Sequence, residues 1–370
     1  MSEKRTAADP FAVPPDPFGA PPDPSNMTCP APIPERARVL LGHGSGGQLS
    51  AALMRDVIGP ALAASSPGGP LNDAAVVDVA GHRLAFTTDS FVVSPLEFPG
   101  GDIGELAVNG TVNDLAMMGA QPLALSLAYV IEEGLPIEDL RKVTESVARA
   151  ANRAGVRIVT GDTKVVGRGA ADGLFVNTAG IGLVADGVAL GADRASVGDA
   201  VILSGPIGLH GVAIMSIREG LDFEVEVASD TQPLNALVAV ILAACPEVRV
   251  LRDPTRGGLA SALNEIAVAS GVGIELREET IRIPGPVHAA CEMLGLDPLH
   301  VANEGKLVAI VPAASVEVVL RAMRADPAGA EAAEIGSVVA DHPGMVTMRT
   351  IVGSQRIVDM LVGEQLPRIC

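Results

Sequence analysis

Two spacings of apolar residues alternate along the chain. Residues 49–62 (LSAALMRDVIGPAL) repeat at the helical period after a glycine-rich stretch, whereas 74–90 (AAVVDVAGHRLAFTTDS) alternate at the strand period and predict two strands with a turn at Gly81-His82. Residues 101–120 (GDIGELAVNGTVNDLAMMGA) predict a helix whose apolar face carries Ile103, Leu106, Ala107, Leu115 and Met118. A strand at 122–134 follows, then an amphipathic helix at 136–155 closed by Gly155. Strands are expected at 156–166, running into a loop, and at 174–185.

A second series begins near residue 187. It reads as a strand at 199–208, a helix at 209–220, a loop feeding a helix at 253–271, and a strand at 272–278. A helix at 288–298, a strand at 306–312 and a helix at 315–325 follow. Strands and helices mix in both halves without a regular βαβ order, which predicts two α+β domains rather than a doubly wound sheet. The expected boundaries are 38–186 for an N-terminal domain, 187–345 for a C-terminal domain, and 346–370 for a mobile tail with one short hairpin. Residues 1–35 contain the near-repeat DPFAVPP-DPFGAPP-DPS, which favours polyproline II or disorder and builds no core. Met27 follows this repeat as an alternative start.

Composition narrows the function. Lys and Arg total 26 against 44 Asp and Glu, a formal charge of −18, so a nucleic-acid partner is not expected. There is no Trp and a single Tyr, and no apolar run long enough to span a bilayer. The four cysteines, Cys29, Cys245, Cys291 and Cys370, lack metal-ligand spacing, and no secretory signal opens the chain. A reducing cytoplasm is the expected location. There the thiol of Cys370, the last residue, can persist.

Several motifs suit phosphate and metal chemistry. The glycines of GHGSGGQ (42–48) let backbone N–H groups approach a phosphate, although Gln48 and Leu49 stand where a P-loop has Lys and Ser/Thr. A plain flexible loop explains that spacing equally well. Asp73, Asp89, Asp114 and Asp162 lie next to apolar segments, where loops could aim them at one Mg²⁺; a single such Asp is usually a turn or cap residue. Lys164 in GDTK, Glu304 in VANEGKL, and Arg256 with two glycines in DPTRGGL are further candidates. The histidines at 82, 210, 288, 300 and 342 are scattered and read as structural or surface residues.

Taken together, GHGSGG, NDAA, the run from Thr87 to Ala120, TGDTKVV, DPTRGGLA, NEGKL and the terminal PRIC resemble the HypE family of hydrogenase maturation proteins. That family belongs to the superfamily of aminoimidazole ribonucleotide synthetase, selenide water dikinase and thiamine-monophosphate kinase. The resemblance covers nearly all of residues 38–370 and none of 1–35. It implies an α+β, two-domain aminoimidazole ribonucleotide synthetase-like fold, with N-terminal sheets pairing across a homodimer and Mg–ATP bound in the cleft.

The resemblance also implies an ATP-dependent carbamoyl dehydratase. HypF would carbamoylate the Cys370 thiol, the thiocarboxamide would be dehydrated to a thiocyanate, and the cyanide would pass to a HypC–HypD complex for the iron of [NiFe]-hydrogenases. On this pattern Cys370 is the carrier, Glu304 the base and Lys164 the residue that steadies the reacting oxygen. ATP is assigned to His43, Gly44, Gly46, Gly47, Asn109, Gly161, Thr163 and Arg256, and Mg²⁺ to Asp73, Asp89, Asp114 and Asp162. The rivals are a selenide- or sulfide-activating kinase on the same scaffold and a non-enzymatic cyanide carrier. The first needs no terminal cysteine, and the second needs no Mg–ATP site.

Overall fold

The computed structural model describes residues 38–65, 71–220, 227–363 and 368–370. The proline-rich segment 1–35 and positions 364–367 of the expected tail lie outside the described residues.

The N-terminal half contains helices α1 (Gln48–Leu53), which runs on through a wider-wound turn at Met54–Ile58, and α2 (Gly59–Leu62). Strands β1 (Ala75–Val79) and β2 (His82–Phe91) form a hairpin. Its turn is at Ala80-Gly81, both with positive φ, one residue earlier than the pattern predicts. A short ribbon, β3 (Glu97–Phe98) and β4 (Gly101–Asp102), leads into α3 (Ile103–Met117). Then come β5 (Ala120–Glu132), α4 (Ile137–Ala154), β6 (Arg157–Val166) and β7 (Leu174–Val184). The strands make one sheet in the order β1-β2-β7-β5-β6.

Helices α3 and α4 cover one face of this sheet. The buried apolar residues of α4, Val143, Val147, Ala150, Ala151 and Ala154, fall on one face at the helical period, and the helix ends where Gly155 turns left-handed (φ 68°). The Asp102 carboxylate starts α3 by accepting from the N–H groups of Gly104 and Glu105 at 2.7 and 3.0 Å. Its opposite flank meets the second half, so α3 is buried nearly all round. Each fully buried Leu there, such as Leu106 and Leu115, contributes about 1.5–3 kcal/mol. The other sheet face is uncovered. Val77, Val79, Phe86, Ile181 and Leu183 all remain substantially exposed on it.

The second half comprises β8 (Asp199–Leu203), α5 (Leu209–Arg218), α6 (Asn235–Ala244), β9 (Val250–Arg252), α7 (Gly258–Ser270), β10 (Gly273–Arg277) and α8 (Gly285–Leu294). It continues through β11 (Val308–Pro312), α9 (Val316–Arg324), β12 (Ala333–Val339), β13 (Val346–Arg349) and β14 (Gln355–Val358). Its seven-stranded sheet runs β14-β13-β10-β12-β8-β11-β9. α7 packs on one face, and α6 and α9 on the other. β13 pairs parallel to β10, with Val346, Met348 and Val358 buried. The hairpin expected inside the tail is therefore a structural part of the second sheet. No helix among the described residues is long and apolar enough to cross a membrane.

Candidate active site

Four segments carry acidic side chains to one point. Asp73 precedes β1, Asp89 sits on the helix-facing side of β2, Asp114 lies within α3, and Asp253 follows β9. Carboxylate oxygens of Asp73, Asp114 and Asp253 lie within 4.8 Å of one another, and Asp89 lines the same cavity beside them. The Thr87 hydroxyl lies 2.7 Å from Asp114 Oδ2 and 3.0 Å from the Asp73 carbonyl, tying β2 to both neighbours. Gly110 permits the close approach: a Cβ there would meet the Phe91 ring at 2.9 Å.

The charge at this point is poorly compensated. Arg252 pairs with Asp73 at 3.0 Å and also with Glu265. Burial pushes the Asp73 carboxyl up to about 6 despite Arg252. Burial, then the neighbouring carboxylates, pushes Asp114 and Asp253 well above the usual range. Burial likewise raises Asp89, against the pull of Arg256. Such a set of hard oxygen donors, crowded and short of positive charge, fits a Mg²⁺ ion.

The last residue of the chain reaches the same place. A cavity of about 180 Å³ is lined by Asp73, Asp89, Asp114, Asp253, Glu304 and Cys370, among others. A second, of about 200 Å³, lies between Gly44 and Ser45 of the glycine-rich loop and the end of the chain, with Arg256 also on its wall. The N–H of Val92 donates to the Cys370 carboxylate at 3.1 Å, and Ile369 is buried. Burial, reinforced by Glu304, Asp89 and Asp253 and opposed by Arg256, pushes the Cys370 thiol up to about 12.

Glu304 is 4 % exposed, and its Oε1 has no hydrogen-bond partner. Its backbone N–H donates to Asp230 at 3.1 Å, and Lys306 pairs with Asp230 behind it. Burial first, then Asp253, Asp230 and Asp89, pushes its carboxyl well above the usual range, Arg256 opposing. A buried, unpartnered carboxyl beside a thiol can exchange a proton with a group carried on that sulfur.

The other predicted residues divide by position. Gly46 has φ 77°, and a Cβ on it would meet the Arg256 carbonyl at 2.7 Å, so this loop lies directly on the Arg256 turn. Gly47 packs against Leu361 in the same way. His43 accepts the Leu40 N–H at 3.0 Å and caps its own turn. Asn109 is buried in α3 and donates to Thr231 at 3.1 Å.

Gly161, Asp162, Thr163 and Lys164 are not brought to the cluster within one chain. They lie inside β6, an exposed edge strand, and not at the strand end that the sequence predicts. Asp162 pairs in register with Ala128 and Lys164 with Val130, on the uncovered sheet face. There the two bond each other at 2.6 Å. Asp253 occupies the cluster in place of Asp162.

The family model of the AIR synthase related protein N-terminal domain matches residues 71–184, and that of the C-terminal domain matches 196–348. The chain is 55 % identical over 328 residues to the carbamoyl dehydratase HypE of Azotobacter vinelandii, covering 89 % of this chain and 96 % of that protein. A HypE solved in a HypE–HypF complex superposes with a TM-score of 0.78 at 47 % identity, covering 83 % of this chain and all of that one. A HypE solved with ATP gives 0.76 at 48 %, covering 90 % and 100 %.

Proposed function

The chain belongs to the HypE family of carbamoyl dehydratases, and from that premise we propose that it dehydrates a carbamoyl group carried on its own Cys370, using ATP. The observation that carries this reading is the position of Cys370 in one cavity with Glu304 and the aspartate cluster. The substrate is the thiocarboxamide S–C(=O)–NH₂ and the product the thiocyanate S–C≡N. HypF supplies the carbamoyl group, and a HypC–HypD complex accepts the cyanide. The HypF and ATP complexes of related chains support the first partner and the nucleotide.

An amide oxygen leaves poorly, and phosphoryl transfer from ATP converts it to phosphate, which leaves readily. The amide nitrogen loses two protons overall, one on forming the C=N bond and one on forming C≡N. Glu304 is the proposed acceptor, since its free Oε1 lies in the same cavity. Arg256, on the walls of both cavities, is suited to hold the anionic phosphate beside the carrier sulfur. A Mg²⁺ held by Asp73, Asp114 and Asp253, with Asp89 beside them, would neutralise triphosphate charge. Tethering gives the substrate a high effective concentration.

A thiol near 12 is almost wholly protonated at neutral pH and is a poor nucleophile. The docked state therefore suits dehydration, and the carbamoyl group is accepted with the end of the chain withdrawn. The uncovered apolar sheet face is the proposed homodimer surface. Lys164 and Asp162 point from that face, so Lys164 would act towards the partner protomer.

Intact mass after incubation with HypF, carbamoyl phosphate and ATP tests the reading. The expected course is gain of a carbamoyl group followed by loss of one water, both absent in Cys370→Ala. Carbamoylation without any loss of water would sink the dehydratase.

A further inference from the structure

The end of the chain is held through its backbone. The carbonyl of Ile369 lies 2.8 Å from His210 Nε2, and His210 Nδ1 lies 2.8 Å from the Ser229 hydroxyl. A carbonyl oxygen only accepts, so Nε2 carries the proton and Nδ1 accepts from Ser229. Ser229 is itself fixed: its N–H donates to Pro99 at 2.7 Å, and its Oγ accepts the Thr231 N–H at 3.1 Å. The imidazole stands edge-on to Phe98 at 5.5 Å and has no exposed surface.

From this arrangement we infer that His210 is a positioning residue for the dehydration, holding the Ile369 carbonyl so that the group on Cys370 is set against Glu304. The inference rests on the proposed carrier role of Cys370. His210 is in the first turn of α5, and that turn is bonded to the segment carrying Glu304. The Gly208 N–H donates to Asn303 Oδ1 at 2.7 Å, and the Gly211 N–H to the Ala302 carbonyl at 3.1 Å. The anchor for the tail and the candidate base thus belong to one hydrogen-bonded frame.

Besides the Val92 N–H, which holds the Cys370 carboxylate itself at 3.1 Å, the other side-chain anchors are less suited to set this register. Arg218 reaches the Arg368 carbonyl with a long side chain that also bonds Ser94. Arg368 pairs with Asp172 at a site open to solvent, where an ion pair contributes little. His210 is buried, short and already oriented, so docking orders nothing further in it.

The test reads tail docking separately from chemistry. In the full-length protein, N-ethylmaleimide modification of Cys370 is followed by peptide mass mapping, with the buried Cys245 and Cys291 as internal controls of folding. His210→Ala is expected to speed modification of Cys370 about tenfold, roughly the effect of one buried hydrogen bond. Dehydration of the carbamoylated protein should slow by a similar factor, with carbamoyl acceptance from HypF not slowed. His210→Gln, which can both donate to Ile369 and accept from Ser229, should recover most of both effects. Wild-type modification of Cys370 in a folded His210→Ala protein overturns the inference. If that variant does not fold, Ser229→Ala decides: faster modification than wild type supports the latch, and an unchanged rate overturns it. Should the wild-type protein never lose water, the dehydratase reading fails while the modification rates still report on the latch.

Discussion

Asp89 and Asp162 lie on opposite faces of one sheet. Across the strands Asp89 is in register with Thr178, Leu127 and then Gly161, so Asp162, the next residue along β6, projects to the other side. Within a single chain only Asp89 faces the aspartate cluster. Asp89→Asn is therefore expected to reduce Mg²⁺-dependent thermal stabilisation in any assembly state. In a monomeric background Asp162→Asn should leave it unchanged. Equal losses from both in a monomer would contradict the face assignment.

That background comes from the uncovered face. Phe86 is 48 % exposed there and in register with Ile181, among other exposed apolar side chains. Phe86→Glu would put a charge in the middle of the proposed dimer surface, where burying it unpaired is costly. Light scattering should show a wild-type dimer and a Phe86→Glu monomer with an intact melting transition. A wild-type monomer at micromolar concentration would remove the proposed interface and, with it, any part for Lys164 in the reaction.

The contrast between these two aspartates also marks what was legible in the sequence. Helical spacing marks α4 and strand alternation marks β7, because each buries one periodic face, whereas α3 is legible from its apolar run although it is buried nearly all round. The motifs identified Glu304, Arg256 and three of the clustered aspartates. They could not tell which side of β6 Asp162 occupies, since that depends on the pairing of Asp162 with Ala128. Asp253 carries no such signal, since an Asp before Pro is an ordinary turn residue. His210 reads from the sequence as a scattered structural histidine, and its partner Ile369, 159 residues away, leaves no local pattern.

The crowded carboxylates link metal binding to pH. Asp73 is raised to about 6 in the fold, mainly by burial, above the ordinary aspartate value near 3.9. A raised carboxylate stabilises the fold when protonated. Its contribution is complete below pH ~4 and lost as pH rises through about 6. Mg²⁺ requires the ionised form and so acts in the opposite direction. The rise in melting temperature caused by Mg²⁺ should be small at pH 5 and clearly larger at pH 7.5. A pH-independent rise would place the ion elsewhere.

Glu304→Gln separates binding from proton transfer. The carboxyl is buried, its Oε1 is unpartnered, and it lines the cavity that Cys370 enters. The amide keeps the shape but takes no proton, so ATP should still bind and HypF should still load the carbamoyl group. Conversion to thiocyanate should slow by about 10²–10⁴-fold, the usual contribution of a positioned base. Because burial, and after it the neighbouring carboxylates, raises the Glu304 carboxyl, the wild-type rate should climb with pH as that group ionises. The variant should lose this limb. Mass spectrometry of the carbamoylated protein follows both effects through the loss of water. A variant that dehydrates at the wild-type rate, with the same pH profile, would leave Glu304 as a structural residue and shift the proton to another acceptor in the cavity.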